Sequence, residues 1–243
     1  MQLSEQIITW IKKEVKSSRK EGVVLGLSGG IDSAVVAVLS KMALGSDKVL
    51  GLILPCKSHS QDEKFALKLV QDFGIKTEKV SLDAIFETFL KSCPNGTDMA
   101  RANLKPRLRM CTLYYFANTL NYLVAGTGNK SEAMIGYFTK YGDGGVDILP
   151  LGELLKTDVR IIAKELNIPE EIINRPPSAG LWHDQTDEGE IGITYEELDK
   201  TIAAMKNKKT KGIPKETLAK VKKMIADSEH KRVNIPVFSA NKK

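Results

Sequence analysis

Residues 22–44 read GVVLGLSGGIDSAVVAVLSKMAL, and this stretch decides the fold. The apolar run from Gly22 to Leu27 is bounded by glycine and is typical of a buried strand. The polar turn SGGIDS follows at once, and the apolar residues from Ala34 to Leu44 then favour a helix. A strand, a tight loop and a helix in this order predict one unit of a parallel sheet.

Predicted strands and helices alternate on both sides of this unit. An amphipathic helix precedes it, and further strand and helix patterns follow it. Strands are expected at 22–27, 48–54, 76–82 and 122–125, and helices at 34–44, 60–74, 83–91 and 97–120, the last one broken by Pro106. The fold class is therefore α/β, a doubly wound parallel sheet with helices on both faces and with ligands at the carboxyl ends of the strands.

The amino-acid composition of the chain changes after Gly126. Glycine, proline and polar residues dominate as far as Pro150, and a second loop-like stretch covers 174–192. Long loops in compact domains are usually functional or mobile, so the second stretch is expected to act as a lid. Helices return at 154–167, 195–206 and 215–228. No repeat or linker is visible, which predicts a single domain over 1–243.

Composition narrows the class of protein. The net charge of +6 favours anionic partners, which are either nucleic acid or phosphorylated small molecules. The longest apolar run, Ala34 to Leu39, is too short to span a membrane, and the N-terminus lacks a signal pattern, so a cytoplasmic protein is expected. Cys56, Cys93 and Cys111 lack the spacing of a disulfide framework or a zinc site.

The turn Ser28–Ser33 predicts an anion site. It lies where a strand passes into a helix N-terminus, so free backbone N–H groups and the helix dipole converge there. The loop lacks the GK[ST] ending of a Walker A motif and carries Asp32 instead. An acidic side chain beside phosphates requires a cation between them, which indicates Mg²⁺. The turn resembles the SGGxDS loop of the N-type ATP pyrophosphatases, which cleave ATP between its α and β phosphates.

A second block selects one family within that group. Residues 126–158 read GTGNKSEAMIGYFTKYGDGGVDILPLGELLKTD, a density of glycine, acid and lysine that packing alone does not explain. This block resembles the signature of the ammonia-dependent NAD synthetases. The resemblance continues through PPSAGLW at 176–182, QTDEGEIGITYEELD at 185–199 and HKR at 230–232. It implies the adenine nucleotide alpha hydrolase-like fold.

The resemblance also implies a set of site residues. ATP-binding residues would be Gly26, Leu27, Ser28, Gly29, Gly30, Ile31, Asp32, Ser33, Thr127, Lys156 and Ser178, and the Mg²⁺ ligands would be Asp32 and Glu132. Deamido-NAD would be bound by Arg107, Lys140, Asp147, His230 and Lys231, with the neighbouring Arg109 as the alternative to Arg107. Asp143 and Lys156 would be catalytic, with Asp143 near the incoming ammonia. Taken singly, each residue also has a plain structural role open to it, such as a lysine–carboxylate pair or a helix cap.

The implied activity is the amidation of deamido-NAD to NAD with ATP and ammonia, through an adenylated intermediate. The family resemblance further implies a homodimer, with small-molecule substrates and no nucleic acid or membrane partner. Two alternatives share the first motif: a tRNA-modifying pyrophosphatase, and a non-catalytic nucleotide-binding module. The first usually carries an RNA-binding module or sulfur-handling cysteines, and the second should lack a metal carboxylate, whereas Asp32 and Glu132 are both present.

Overall fold

The computed structural model describes residues 2–178, 180, 182 and 185–239. Its sheet has four parallel strands in the order β3-β2-β1-β4. The strands are β1 Gly22–Gly26, β2 Val49–Ile53, β3 Thr77–Lys79 and β4 Tyr122–Val124. The helices are α1 Leu3–Ser17, α2 Ile31–Leu44, α3 Ser60–Phe73, α4 Asp83–Ser92, α5 Asp98–Leu120, α6 Lys130–Ile135, α7 Lys156–Glu165, α8 Glu170–Ile173, α9 Asp187–Ile191, α10 Tyr195–Lys206 and α11 Lys215–Asp227.

The central strands are buried on both faces, which confirms the doubly wound α/β prediction. Side chains alternate across a strand, so Val23 and Leu25 of β1 pack with α1, α2 and α7, while Val24 packs with α4 and α5 on the opposite face. A third apolar cluster joins α6, α9, α10 and α11 around Leu198. None of the described helices combines the length and the apolarity that crossing a bilayer requires.

Three sequence expectations about elements were wrong. The helix at α5 is not broken in two: it runs through Pro106, because the loss of one backbone hydrogen bond is offset by packing of the turns on either side against β1 and β4. The polar stretch 126–150 contains the short helix α6, which Asn129 caps. The stretch 174–192 contains α9, and its residues 179, 181, 183 and 184 lie outside the described part of the chain.

Strand order places the ligand-binding cleft. Strands β2 and β4 lie on opposite sides of β1, so the loops that follow β1 and β4 diverge at the carboxyl end of the sheet. This divergence is the usual position of a ligand site in an open α/β sheet. An isolated bridge between Ala125 and Ile148 extends the pairing beyond β4 and holds the 126–148 segment against this end of the sheet.

Candidate active site

A cleft of about 930 Å³ opens at the carboxyl ends of the strands. Its floor is the loop between β1 and α2, and its walls come from the segments that follow β2 and β4 and from residues 175–178, 180, 182 and 185–187. Of the predicted ATP-binding residues, all but Gly29 line this cleft, including Thr127, Lys156 and Ser178. Tertiary structure therefore gathers residues that are as far apart as 26 and 178 in the sequence.

The loop at Ser28–Ser33 is folded by its own hydroxyl groups. Ser33 Oγ donates a hydrogen bond to Gly30 O at 2.9 Å and lies 3.1 Å from Ser28 Oγ. Ser28 N in turn donates to Ser33 Oγ at 3.3 Å. The loop thus turns tightly into the first turn of α2, where backbone N–H groups have no partner within the helix. A loop of this kind can bind a phosphate group through its backbone and its two hydroxyls.

Gly29 has a packing role in this loop. Its φ is +75°, in the left-handed region, and a Cβ at this position would lie 2.3 Å from the carbonyl oxygen of Asp62. The glycine therefore lets the loop lie directly against the backbone at the start of α3. Participation of Gly29 in ATP binding, which the family resemblance implies, stays a prediction.

Two carboxylates and one ammonium group converge at the base of the cleft. Lys156 Nζ forms an ion pair with Asp32 Oδ2 and lies 3.1 Å from Glu132 Oε1. The Lys156 side chain is 2% exposed, and each of the carboxylate side chains is 17% exposed. The two acids that the sequence separates by a hundred residues thus face the same nitrogen. This geometry is compatible with both interpretations of Glu132. The side chain pairs with a lysine, as the structural alternative expects, and it lies where a Mg²⁺ ligand is expected.

The backbone around these side chains is held by buried polar contacts. Asn129 Nδ2 donates to Asp32 Oδ1 at 2.9 Å, while Asn129 Oδ1 accepts from Glu132 N at 3.1 Å and so caps α6. The N-x-x-E spacing of Asn129 and Glu132 is a capping-box signature that sequence analysis could have recognised. Asn129 therefore fixes both carboxylates relative to each other.

Asp199 holds the start of α7, where Lys156 is located. Its Oδ2 accepts from Thr157 N at 2.9 Å, and its Oδ1 accepts from the Ser131 hydroxyl. Ser131 Oγ in turn accepts from Lys156 N at 3.0 Å. This buried network ties α6 to α7, and no sequence signal indicated it, because Asp199 belongs to a different helix.

Burial shifts the proton affinity of these groups. Desolvation raises the pKa of Glu132 to about 7, because the positive charge of Lys156 offsets it only in part. Desolvation acts to lower the pKa of Lys156, but the two carboxylates more than compensate, and its pKa is raised. Lys156 therefore remains an ammonium ion at neutral pH, suited to stabilising negative charge on a bound phosphate.

Asp143 also lines the cleft. Its Oδ1 accepts a hydrogen bond from Thr139 N at 2.9 Å. Solvent reaches the side chain through the cleft, but the surrounding protein desolvates the carboxyl and raises its pKa. A carboxylate in this position can attract an ammonium ion into the cleft.

The residues predicted to bind deamido-NAD form a cationic rim next to the cleft. Lys140 Nζ donates to His230 O at 2.5 Å, and Arg107 Nη2 donates to Lys140 O at 3.3 Å. Lys231 Nζ donates to Gly136 O at 2.7 Å, and Lys231 alone among these four residues lines the cleft itself. The fold thus brings together side chains from α5, from the 136–146 segment and from the region after α11. The placement of Arg107, Lys140 and His230 outside the cleft fits a ligand that extends beyond it.

Asp147 and Arg109 differ from that group. Asp147 accepts hydrogen bonds from Val124 N at 2.8 Å and from Tyr114 OH at 3.0 Å, which gives it a structural role at the edge of the sheet. Arg109 donates to Leu54 O at 3.1 Å and to Ser58 Oγ at 3.0 Å. Arg109 lines the cleft, whereas Arg107 lies on the rim, so the two neighbouring arginines face different parts of the site.

Arg175 lines the cleft although sequence reasoning did not select it. Its guanidinium group pairs with the Asp62 carboxylate, lies 5.2 Å from the centre of the Phe65 ring and donates to Gly29 O at 3.4 Å. Arg175 thereby connects the segment that follows α8 to the Ser28–Ser33 loop and to α3. The sequence offered no signal for it, because a lone arginine next to two prolines is indistinguishable from a surface residue.

A divalent cation fits the acidic end of the cleft. Asp32 and Glu132 already converge on a positive group, and Asp187 nearby has a buried oxygen, Oδ1, that accepts no hydrogen bond from the described residues. No set of three or more acidic, histidine or cysteine side chains in the described ranges is placed to hold a metal alone. Mg²⁺ commonly takes one or two carboxylates and completes its shell with phosphate oxygens and water, which this arrangement allows.

Comparison with known proteins agrees with this geometry. The family model of NAD synthase matches residues 3–235. The NH3-dependent NAD(+) synthetase of Finegoldia magna is 50% identical over 234 residues, which are 95% of this chain and 92% of the relative.

Two solved structures share the fold over nearly their whole length. An NMN synthetase from Francisella tularensis has a TM-score of 0.90 and 38% identity, with 98% of this chain and 97% of that chain covered. The NH3-dependent NAD synthetase from Campylobacter jejuni has a TM-score of 0.86 and 31% identity, covering 98% and 100%. From the cleft, its convergent acids and these matches, the chain belongs to the NAD synthase family.

Proposed function

We propose that this chain catalyses the ATP-dependent amidation of deamido-NAD by ammonia, which yields NAD, AMP and pyrophosphate. The observation that carries the proposal is that Asp32, Glu132 and Lys156 converge beside the Ser28–Ser33 loop, in a chain of the NAD synthase family. The curated relative from Finegoldia magna, which this chain matches over most of its length, is an NH3-dependent NAD(+) synthetase.

The reaction needs two activations. The nicotinate carboxylate of deamido-NAD first attacks the α-phosphorus of ATP, forming a carboxyl–phosphate bond while the α–β bridge breaks and pyrophosphate leaves. Ammonia then attacks the activated carbonyl carbon and loses a proton, and AMP leaves with the electrons of the broken C–O bond. The loop at Ser28–Ser33 would hold the phosphates, and Lys156 would stabilise charge on the departing pyrophosphate.

The metal is part of this proposal. Mg²⁺ held by Asp32 and Glu132, together with phosphate oxygens, would neutralise phosphate charge and orient the triphosphate. Thr127 and Ser178 line the cleft at positions from which hydroxyl groups can contact the nucleotide. The rim of Arg107, Lys140, His230 and Lys231 suits the anionic diphosphate and carboxylate of deamido-NAD. The 174–192 segment would exclude water from the adenylated intermediate.

One assay tests the proposal directly. The purified chain is incubated with ATP, MgCl₂, deamido-NAD and an ammonium salt, and NAD and AMP are quantified. Equal amounts of NAD and AMP are expected, and glutamine in place of ammonium should support much less product. Formation of AMP without NAD, or no turnover of either, would contradict the proposal.

A second candidate substrate is the deamido form of nicotinamide mononucleotide. The similarity to an NMN synthetase structure, at a TM-score of 0.90, favours testing it. The same assay with the mononucleotide replacing deamido-NAD discriminates the two. A higher kcat/KM for deamido-NAD is expected, because the curated relative from Finegoldia magna, 50% identical to this chain, is an NH3-dependent NAD(+) synthetase. The reverse preference would assign the mononucleotide as substrate.

Replacing Asp143 by Asn should weaken the use of ammonium. The KM for ammonium is expected to rise about tenfold or more with the KM for ATP little changed, because the neutral amide no longer attracts the cation. The raised pKa of Asp143 means that its charge is lost on acidification at a higher pH than for an ordinary aspartate. The reaction rate of the parent should therefore fall as the pH is lowered. The rate of the Asp143→Asn variant should depend less on pH in this acidic range.

Initial rates at several pH values and ammonium concentrations measure this effect. The control is Asp72→Asn, which removes a carboxylate that forms only an exposed pair with Lys68. Identical pH profiles and ammonium KM values for Asp143→Asn and the parent would argue against a role for Asp143 in ammonium capture.

We also propose that the chain forms a homodimer and that residues 1–243 act as one domain. Helices α4 and α5 pack against each other and expose Ile85 (51%), Phe89 (48%) and Tyr115 (69%). Exposed apolar side chains on two packed helices are a feature that an association surface commonly buries. The predicted cytoplasmic location stays a prediction.

The double variant Phe89→Glu with Tyr115→Glu should lower the mass measured by light scattering from that of a dimer to that of a monomer. Two charges would have to be desolvated in the interface, which association cannot offset. Ile161→Glu, an equally exposed apolar position on α7, is the control and should remain dimeric. An unchanged mass for the double variant would place the association surface elsewhere.

A further inference from the structure

Tyr195 contacts Lys156 and Glu132, which together with Asp32 form the charged centre of the cleft, and it also contacts Asp187 in the cleft wall. Its side chain is 1% exposed, at the first residue of α10. Its ring centre lies 4.9 Å from Lys156 Nζ. Its hydroxyl oxygen lies 3.2 Å from Glu132 Oε1 and 3.0 Å from Asp187 Oδ2. The hydroxyl group therefore bridges a carboxylate of the charged centre and a carboxylate of the cleft wall.

The bridge is asymmetric, because one hydroxyl proton serves two acceptors. A phenol donates a single hydrogen bond, so Glu132 and Asp187 compete for it. Glu132 Oε1 also accepts from Lys156, 3.1 Å away. The Tyr137 hydroxyl also interacts with the Asp187 carboxylate, but it donates to Glu190 Oε2 at 2.7 Å. Asp187 Oδ1 is buried and accepts no hydrogen bond within the described residues. A group that binds the Glu132 carboxylate therefore competes with the Tyr195 hydroxyl, and this competition decides how strongly that hydroxyl donates to Asp187.

Asp187 is connected to the cleft wall through its backbone. Asp187 N donates to Pro177 O at 2.9 Å, and the preceding Gln185 and Thr186 line the cleft. The neighbouring Glu188 accepts from Tyr195 N at 2.9 Å. Tyr195 thus contacts the α9 region through both its main chain and its side chain. A change in the hydroxyl bond to Asp187 acts directly on this wall.

We propose that Tyr195 is a positioning residue that couples a cation at Glu132 to the placement of residues 185–191. This inference rests on the proposed function, since it assumes a divalent cation in the cleft. A cation held by Glu132 would compete with the hydroxyl group for this carboxylate, and the hydroxyl proton would then be donated more fully to Asp187. The bond between α10 and α9 becomes stronger, and the wall that contains Gln185 and Thr186 is held closed over the nucleotide.

The test uses Tyr195→Phe, which keeps the ring over Lys156 and removes only the hydroxyl. Amide hydrogen exchange of residues 185–191 is followed with and without Mn²⁺ and α,β-methylene-ATP, a nucleotide that cannot be cleaved between its α and β phosphates. In the parent, exchange in this segment should slow by about tenfold or more when both are added, and in the variant this protection should be absent. Mn²⁺ binding followed by electron paramagnetic resonance should be weaker by about tenfold in the variant.

Two further variants make the result specific. Asp187→Asn should lose the same protection, and the double variant should be no worse than either single one, because both changes break one link. Asp187→Asn also decides the matter if Tyr195→Phe does not fold. Tyr122→Phe is the control, since its hydroxyl donates to Asp47 O at 2.9 Å on the surface, and it should behave as the parent.

The outcomes separate this inference from the proposed function. Unchanged exchange protection and unchanged Mn²⁺ affinity in Tyr195→Phe, with normal binding by the parent, would overturn the positioning role alone. A parent that binds neither Mn²⁺ nor the nucleotide would overturn the proposed function, and this inference with it.

Discussion

Replacing Lys156 by Met is expected to lower kcat/KM for NAD formation by roughly 100- to 1000-fold, the range seen when one preorganised charge-stabilising donor is removed from an active site. Methionine keeps the length and the apolar stem of lysine but lacks the ammonium group. In the parent that group is buried and contacts both Asp32 and Glu132. Without it, the proposed pyrophosphate leaving group would lose a buried side-chain cation at the base of the cleft.

The same change should alter stability without ligands. Two largely buried carboxylates would lose their counter-charge, and breaking such a pair typically costs about 3–5 kcal/mol. The loss should be smaller here, because each carboxylate side chain retains 17% exposure and Glu132 can take up a proton as its pKa rises further. Urea unfolding at several pH values measures this, and the deficit of the variant should shrink as the pH is lowered.

Lys130→Met is the matched control for this experiment. Lys130 pairs only with Glu153, whose side chain is 86% exposed, and such pairs contribute about 0–1 kcal/mol. Its activity and stability should remain near those of the parent. If Lys156→Met retained a parental kcat/KM and lost only stability, Lys156 would be a structural counter-ion and its proposed role at the phosphates would be wrong.

Gly29→Ala should have the second large effect, on both folding and nucleotide binding. The new Cβ would lie 2.3 Å from the carbonyl oxygen of Asp62, and backbone atoms cannot move aside as a flexible side chain can. The positive φ adds a further cost of about 1 kcal/mol for alanine. Overpacking of this kind typically costs about 1–3 kcal/mol, so the free energy of unfolding should fall by roughly 2–4 kcal/mol in total.

Nucleotide binding should weaken by more than the stability loss alone explains. Any shift of α3 away from the loop also displaces Asp62, and with it the paired Arg175 that lines the cleft. The KM for ATP measured under conditions where the variant is fully folded should therefore rise. An unchanged KM would mean that the loop and α3 move together and that the cleft tolerates the shift.

Gly45→Ala is the control that separates the cost of the positive φ from the cost of the Cβ contact with Asp62. Gly45 has a φ of +83°, but a Cβ there would meet no atom within 4 Å. This variant should show only the cost of an unfavourable backbone conformation, about 1 kcal/mol, without any change in the KM for ATP. If the two alanine variants behaved alike in urea and in the ATP titration, the contact between Gly29 and Asp62 would not matter.

Sequence reasoning was most successful where local pattern and tertiary environment agree. Strands β1 and β2 are nearly continuous apolar runs, because a central parallel strand is buried on both faces. The edge strands β3 and β4 were also found within their predicted ranges, although β3 itself consists of polar residues. Sequence reasoning failed where tertiary packing outweighs local preference. Pro106 lies inside a helix whose other turns are held by the sheet, and α6 is a helix of six residues within a stretch rich in glycine and polar residues.

The site shows the same division. The turn at Ser28–Ser33 selected Asp32, and the family resemblance implied Glu132 and Lys156. Sequence analysis did not single out Arg175, Asn129, Asp199 or Tyr195, although all but Arg175 lie within stretches that carry the family resemblance. A side chain of this kind is functional only through its neighbours, and those neighbours are distant in the sequence.

By itself, therefore, the amino-acid sequence determined the α/β class, the anion-binding turn and the family resemblance, because these depend on periodicity and on residues close together in the chain. Tertiary structure alone decided that Lys156 lies between the two acids, that Gly29 is needed for contact with α3, and that Tyr195 joins the charged centre to the cleft wall. Each of these depends on distances between segments that are brought together only when the sheet is covered on both faces.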